Sequence, residues 1–216
     1  FKLPWVEIAS HTFSHPFDWP ALEEGDLAGE GRTAAGFAYN LPIKGYRFSL
    51  EKEVAGSTRY INENLAPPGK RVTTLLWSGN ALPPEKALAI ADRLGLENLN
   101  GGNTHIMSDN PTLLDVTPML RPQGNHLQVY APVINENVYT NDMTGPYWGF
   151  RRVIETFKLT DEPRRLKPID IYYHFYSAGR PASLNALKDV YAYARSQRTL
   201  PLFASEYSRI ARNWYD

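Results

Sequence analysis

The chain contains no cysteine, and its charges of opposite sign cancel. Without thiols it has no disulfide, and catalysis by a cysteine nucleophile is excluded. The 23 basic and 23 acidic residues give a formal net charge of zero, so the sequence predicts neither a nucleic-acid partner nor attraction to an acidic membrane surface. No apolar run reaches the length of a membrane span. The absence of cysteine is compatible with an oxidising compartment.

The periodicity of apolar residues predicts alternating strands and helices. With 216 residues, 43% of them hydrophobic, the chain is long enough for one large domain with a real core, and no linker divides it. Strands with helices between them indicate a mostly parallel sheet, so we expect an α/β fold, either barrel-like or open. The predicted strands are 5–9, 72–77, 96–100, 127–133, 169–174 and 200–203; the predicted helices are 49–65, 83–94, 146–157, 182–197 and 205–210; loops are expected over 20–48 and 103–126.

Two of the five histidines, His11 and His15, stand four residues apart directly after the first predicted strand. In a helical or tightly turned backbone this spacing places both imidazoles on one side, where they can bind one metal ion. Imidazole suits zinc, cobalt, nickel and iron. Two histidines do not complete a site, because a catalytic site usually takes three protein ligands and a water. The alternative is a surface pair without a role, which chance produces easily among five histidines.

The sequence around this pair carries a family resemblance. Residues 8–16 read Ile-Ala-Ser-His-Thr-Phe-Ser-His-Pro, which resembles the His-Ser/Thr-x-x-His second motif of the polysaccharide deacetylases, the carbohydrate esterase family 4 or NodB-homology group. The resemblance implies that His11 and His15 are metal ligands, with zinc as the favoured ion and cobalt or nickel as alternatives. It also implies a (β/α) barrel-like fold, distorted or incomplete.

A second match follows near the end of the chain. Residues 169–174, Ile-Asp-Ile-Tyr-Tyr-His, resemble the late strand that ends in the family's general-acid histidine, so the resemblance implies that His174 is catalytic. The alternative for His174 is a structural imidazole satisfied by a hydrogen bond.

The middle motifs depart from the family pattern and resemble one branch of it. Where the family supplies an Arg and an Asp, the chain has Trp-Ser-Gly-Asn at 77–80 and Asn-Gly-Gly-Asn at 100–103. Together with 133–141 and 171–176, these segments resemble the branch that modifies the Pel exopolysaccharide. That resemblance implies N-deacetylation of a polymer rich in N-acetylgalactosamine and N-acetylglucosamine, in the periplasm, during export and biofilm matrix formation. Other export proteins are then possible partners, and Trp77, Asn103 and Tyr176 are candidates for substrate contacts.

The first motif of the family, Thr/Ser-Phe-Asp-Asp, does not occur in the chain. In the family it precedes the histidine pair and supplies the catalytic base and the third metal ligand. We therefore expect residues 1–216, which begin at Phe1 without Met, to be the C-terminal portion of a single deacetylase domain, partnered by the upstream part of the same polypeptide. Four aspartates were considered as substitutes for the missing carboxylates, and none has a sequence context that indicates this role: Asp18, Asp109, Asp115 and Asp142.

Two other functions stay open. One is a polysaccharide-binding module that grips the polymer through Trp77, Tyr173 and Tyr176 without turnover, although core positions are the more common use of such rings. The other is an unrelated metal-dependent hydrolase. A His-Glu-x-x-His protease site does not fit, because Thr12 follows the first histidine.

Overall fold

The computed structural model describes residues 1–23, 36, 38–141 and 144–215, which form parts of two compact units. The first, called here the sheet unit, comprises 1–101, 120–130 and 202–216; the second, called the helical unit, comprises 102–119 and 131–201. The strands are β1 (Ile8–Ser10), β2 (Val72–Leu76), β3 (Glu97–Leu99), β4 (Leu120–Gln123) and β5 (His126–Val129). The α-helices are α1 (Trp19–Glu23), α2 (Ser57–Asn64), α3 (Glu85–Arg93), α4 (Glu136–Tyr139), α5 (Val153–Leu159), α6 (Pro181–Ser196) and α7 (Ala204–Tyr215).

The sheet unit is built on three parallel strands in the order β1-β2-β3. In register, Ser10 of β1 pairs with Leu75 of β2, and Leu75 pairs with Asn98 of β3. Helices α2 and α3 lie in the connections, as parallel pairing requires. The predicted strands at 5–9, 72–77 and 96–100 and the helices at 49–65 and 83–94 are confirmed, with shifted boundaries. The mixture of helices with small sheets agrees with the α/β class.

Two tryptophans lie at the centre of the sheet unit. Trp19 and Trp77 are almost fully buried, and their rings meet edge to face with centroids 5.3 Å apart. Each indole N–H has an acceptor, the Ser78 carbonyl for Trp19 and the Asn98 side chain for Trp77, both at 3.0 Å. Burial of such rings is favourable when the N–H is satisfied, so the pair anchors the loops that follow β1 and β2.

Two loop predictions need correction. Within the predicted loop 103–126, Leu120–Gln123 forms β4, which pairs antiparallel with β5. The turn contains Gly124 at φ 59°, a conformation that suits glycine. Proline at 122 and the polar residues around it masked this short strand in the sequence. The predicted loop 20–48 overlaps α1 at its start, and residues 24–35 and 37 lie outside the described residues.

The helical unit has its own core, formed mainly by α5 and α6 around Phe157, Val153 and Val190. The predicted helix at 146–157 is a 3₁₀ turn, Gly149–Arg152, that leads into α5. The predicted helix at 182–197 is α6, which begins with Pro181 in the first turn, where proline needs no N–H.

Two predicted strands are wrong. Residues 169–174 and 200–203 belong to no strand in the described part of the chain. The alternation at 169–174 still has a structural meaning, because Ile169, Ile171 and Tyr173 pack against the helical core. Alternation indicates which side chains pack on a core, whereas a strand also needs a hydrogen-bonded neighbour.

The prediction of a single domain stays a prediction, since two compact units can belong to one domain. No helix in the described ranges is long and apolar enough to cross a membrane.

Candidate functional site

The histidine pair lies where the sheet unit's first strand ends. His11 follows β1 directly, and its ring centroid is 4.9 Å from that of His15, with the rings nearly perpendicular. Two imidazoles that ligate one tetrahedral ion would have centroids about 5 Å apart, given metal–nitrogen bonds of about 2.0–2.1 Å. The observed centroid separation is therefore the one expected for two ligands of one metal ion.

The tautomer of His11 is set by its neighbour. Its Nδ1 lies 2.8 Å from the backbone carbonyl oxygen of Leu76, at the end of β2. A carbonyl only accepts, so Nδ1 carries the proton, and in the neutral ring Nε2 carries the lone pair. Metal-binding histidines are commonly oriented by such an N–H···O=C bond.

The loop that carries the pair has an unusual backbone. Thr12 has φ 70° and His15 has φ 51°, the left-handed region that side chains other than glycine rarely adopt. Each such residue costs of order 1–3 kcal/mol and persists only where the surroundings determine it. Backbone strain of this kind clusters at functional sites, which supports a role for the loop.

Residues 77–80, which follow β2, bind and contact this loop. The Ser78 hydroxyl donates to the Pro16 carbonyl at 2.8 Å, and the Asn80 N–H donates to the Phe17 carbonyl at 3.0 Å. Gly79 has φ 58° and lies so close to the loop that a Cβ there would be 2.3 Å from both Phe17 Cα and Pro16 O. The Trp-Ser-Gly-Asn segment thus positions the loop over residues 11–17, called here the histidine loop, through its backbone and small side chains.

Replacing Gly79 by alanine is expected to lower the free energy of unfolding by about 2–3 kcal/mol, because the Cβ adds a backbone collision to the left-handed strain. The matched control is Gly69→Ala, which has φ 80° and open space around the added Cβ, so it should cost only about 1–2 kcal/mol. Urea unfolding of both variants measures the difference. Equal destabilisation by the two substitutions would contradict the close packing.

In the helical unit, His174 is held by a buried carboxylate. Glu136 is 2% exposed, and its Oε1 accepts from the backbone N–H of His174 at 2.5 Å and from the Ser177 hydroxyl at 3.1 Å. His174 Nδ1 lies 3.0 and 3.2 Å from the two oxygens of the same carboxylate. A carboxylate so placed fixes the orientation of the imidazole with Nδ1 toward Glu136, so Nε2 is left to exchange a proton with a substrate.

Aromatic and amide groups surround this His-Glu pair. Tyr176 stacks on the His174 ring at 4.9 Å with an angle of 8°, and its hydroxyl donates to Asn137 Oδ1 at 2.8 Å. Burial raises the pKa of the Tyr176 phenol above its ordinary value, and the negative charge of Glu136 is a second cause. Tyr176 and Glu136 line a cavity of about 250 Å³, in which Arg180 provides a cation.

The sequence predictions divide between the two units. His11, His15 and Trp77 belong to the sheet unit, and His174, Asn103 and Tyr176 belong to the helical unit. Trp77 is 1% exposed and lies in the core. A core position is the alternative to substrate contact that the sequence left open for this residue. Asn103 is exposed, and Tyr176 is 45% exposed.

Sequence reasoning missed Glu136 altogether. Its signal was the Asn-Glu-Asn string at 135–137, in which Asn135 caps α4 by accepting from the Asn137 N–H at 3.0 Å and Glu136 opens the helix. The string belonged to one of the segments behind the family resemblance, but it has no spacing that indicates a partner for His174.

A complete metal site is not present in the described ranges, where no group of three or more His, Cys, Asp or Glu side chains could hold a metal ion. The histidine pair thus fits as two ligands and needs a third. Asp142 lies outside the described residues.

The roles considered for His11, His15 and His174 rest on their motifs and on this local geometry. Comparisons of the chain with protein-family models, curated proteins and solved structures returned no match.

Proposed function

We propose that the chain belongs to a metal-dependent polysaccharide N-deacetylase. The observation that carries the proposal is the histidine pair after β1, with ring centroids 4.9 Å apart and the His11 tautomer set by the Leu76 carbonyl. The buried Glu136 behind His174 supports it independently, because a general acid needs an orienting partner. The substrate class is an exopolysaccharide rich in N-acetylhexosamine and similar to Pel, modified in the periplasm during export. We also propose that the parallel sheet is part of a distorted or incomplete (β/α) barrel.

His11 and His15 would hold a divalent cation, with zinc favoured and cobalt or nickel as alternatives. When bound, the ion supplies Lewis acidity toward an amide carbonyl and lowers the pKa of water. The resemblance implies that the third ligand and the base would be carboxylates.

The remaining step concerns the leaving amine. In the reaction that the resemblance implies, His174 would donate a proton from Nε2 to this amine, while its Nδ1–H remains bonded to Glu136. Acetate and a free amine are the products, so deacetylation makes the polymer cationic. Tyr176, stacked on His174 at the cavity wall, is suited to contact a sugar ring beside the reacting amide.

One observation favours a second candidate, a polysaccharide-binding module without turnover. The described residues contain no third ligand for the histidine pair, and a site limited to two histidines would not be expected to catalyse hydrolysis. Release of acetate from an N-acetylated oligosaccharide separates the two functions, since a binding module retains the sugar but releases none.

The metal assignment predicts that His11→Ala lowers the affinity for Co²⁺ by at least about tenfold, because one of two nitrogen ligands is lost. Calorimetric titration of Co²⁺ and Zn²⁺ into the metal-free protein measures this. The matched control is His126→Ala, whose imidazole is paired with Asp92 at 2.5 Å, and this variant should keep wild-type affinity. Unchanged affinity in His11→Ala would contradict the proposal.

A further inference from the structure

A second buried carboxylate, Glu53, lies in the sheet unit. It is fully buried and lies in a π-helical turn, Lys52–Gly56, that precedes α2. Turns of this kind are rare and occur frequently at functional sites. A carboxylate is costly to bury unless several donors satisfy it, so the identity of its donors is informative.

Within the described residues, the donors to the Glu53 carboxylate belong to the histidine loop and to Tyr46. Its Oε2 accepts from the consecutive backbone N–H groups of Phe13 and Ser14, each at 2.8 Å. Its Oε1 accepts from the hydroxyls of Ser14 and Tyr46, each at 2.5 Å. Consecutive N–H groups that converge on one anion form a nest, a backbone conformation that the anion itself stabilises.

The two residues whose backbone N–H groups bind Glu53 lie between the two residues with a strained backbone. Phe13 and Ser14 separate Thr12 from His15, both of which have positive φ. Without the Glu53 carboxylate, the N–H groups of Phe13 and Ser14 would lose the acceptor that stabilises this backbone conformation. The strain at Thr12 and His15 would then favour a different loop conformation. The relative placement of the two imidazoles depends on that backbone.

We propose that Glu53 is a positioning residue for the histidine pair: by binding the Phe13 and Ser14 N–H groups, it holds the loop in the conformation that directs both imidazoles to one divalent cation. This rests on the proposed function for the cation, but the effect on the loop also exists in the metal-free protein. Glu53 itself touches neither the cation nor a substrate in this role.

The test compares Glu53→Ala and Glu53→Gln. Glutamine keeps one oxygen that can accept from both N–H groups, whereas alanine leaves the nest empty. In the metal-free full chain, exchange of the Phe13 and Ser14 amides should accelerate by at least about 100-fold in Glu53→Ala and change little in Glu53→Gln. The affinity for Co²⁺ should fall by about tenfold or more in Glu53→Ala, while Glu53→Gln stays within about threefold.

Two further variants separate positioning from general stability. Tyr46→Phe removes a donor to the same carboxylate but leaves the nest intact, so it should leave the Co²⁺ affinity unchanged even where it lowers the melting temperature. Should Glu53→Ala fail to fold, Glu53→Asp retains the charge and withdraws it from the loop by one methylene group, and the same losses are expected.

The proposal is overturned if the amide protection or the Co²⁺ affinity survives removal of the Glu53 carboxylate from the loop, or if Tyr46→Phe reduces the affinity as much as Glu53→Ala does. A wild-type protein that binds no Co²⁺ would instead contradict the proposed function. In that case the amide exchange of the metal-free variants still decides whether Glu53 sets the loop conformation.

Discussion

Replacing His174 by alanine is expected to lower deacetylation of an N-acetylated oligosaccharide by about 10²–10⁴-fold, the usual contribution of a general acid. The measurement is acetate release by a polypeptide that also carries the family's Asp-Asp motif. Metal content should stay at the wild-type level, because His174 is not assigned as a ligand. The matched control is His105→Ala in the same unit, whose ring packs on Tyr139 in the core; this variant should stay within a few-fold of wild type once its folding is verified.

The Glu136–His174 pair refines the same prediction. Glu136→Gln retains an acceptor for the His174 N–H groups but removes the negative charge beside the imidazole, so activity should fall by roughly 10-fold or more, but less than in His174→Ala. His174→Ala and the double variant should have similar residual activity, because Glu136 acts through His174. Activity within a few-fold of wild type in His174→Ala would show that His174 is a structural histidine.

Replacing Asp170 by asparagine is expected to remove a large pH dependence of stability. Burial raises the pKa of Asp170 from its ordinary 3.8 to about 7 in the folded protein. The folded state therefore holds a proton that the unfolded state has released between about pH 4 and pH 7, and stability falls as the pH rises through this window. Because Asp170 keeps some exposed surface, the loss by pH 8 is on the order of 2 kcal/mol, which is below the limit set by 1.36 kcal/mol for each pKa unit.

Urea unfolding between pH 4 and pH 8 tests the Asp170 prediction. The wild type should lose stability across this range relative to Asp170→Asn, and the variant should be the more stable protein at pH 8. Burial also lowers the pKa of Lys167 to about 8, but that group changes stability only above pH 8, where stability rises with pH. Asp189→Asn is the control, since Asp189 is 51% exposed and paired with Arg151. Parallel pH profiles for wild type and Asp170→Asn would contradict the prediction.

Two segments with a strand-like sequence show what an apolar pattern can and cannot predict. Residues 72–77 and 169–174 both have strand-like composition, yet only the first forms a strand in the described structure. Alternation at 169–174 correctly indicates that Ile169 and Ile171 pack toward the core. Whether such a segment joins a sheet depends on an available neighbouring edge, which is a property of the whole fold.

The candidate site divides along the same line. The sequence by itself determined the parallel order of strand, helix and strand around β2 and the histidine pair at the end of β1, because these depend on spacing between near neighbours. Only the tertiary structure decided which carboxylates serve the histidines. Glu53 and Glu136 bind groups 39 and 38 positions away, and in the sequence they look like ordinary helix-start acids. Burial together with converging donors distinguishes them, and both arise only when distant segments of the chain pack together.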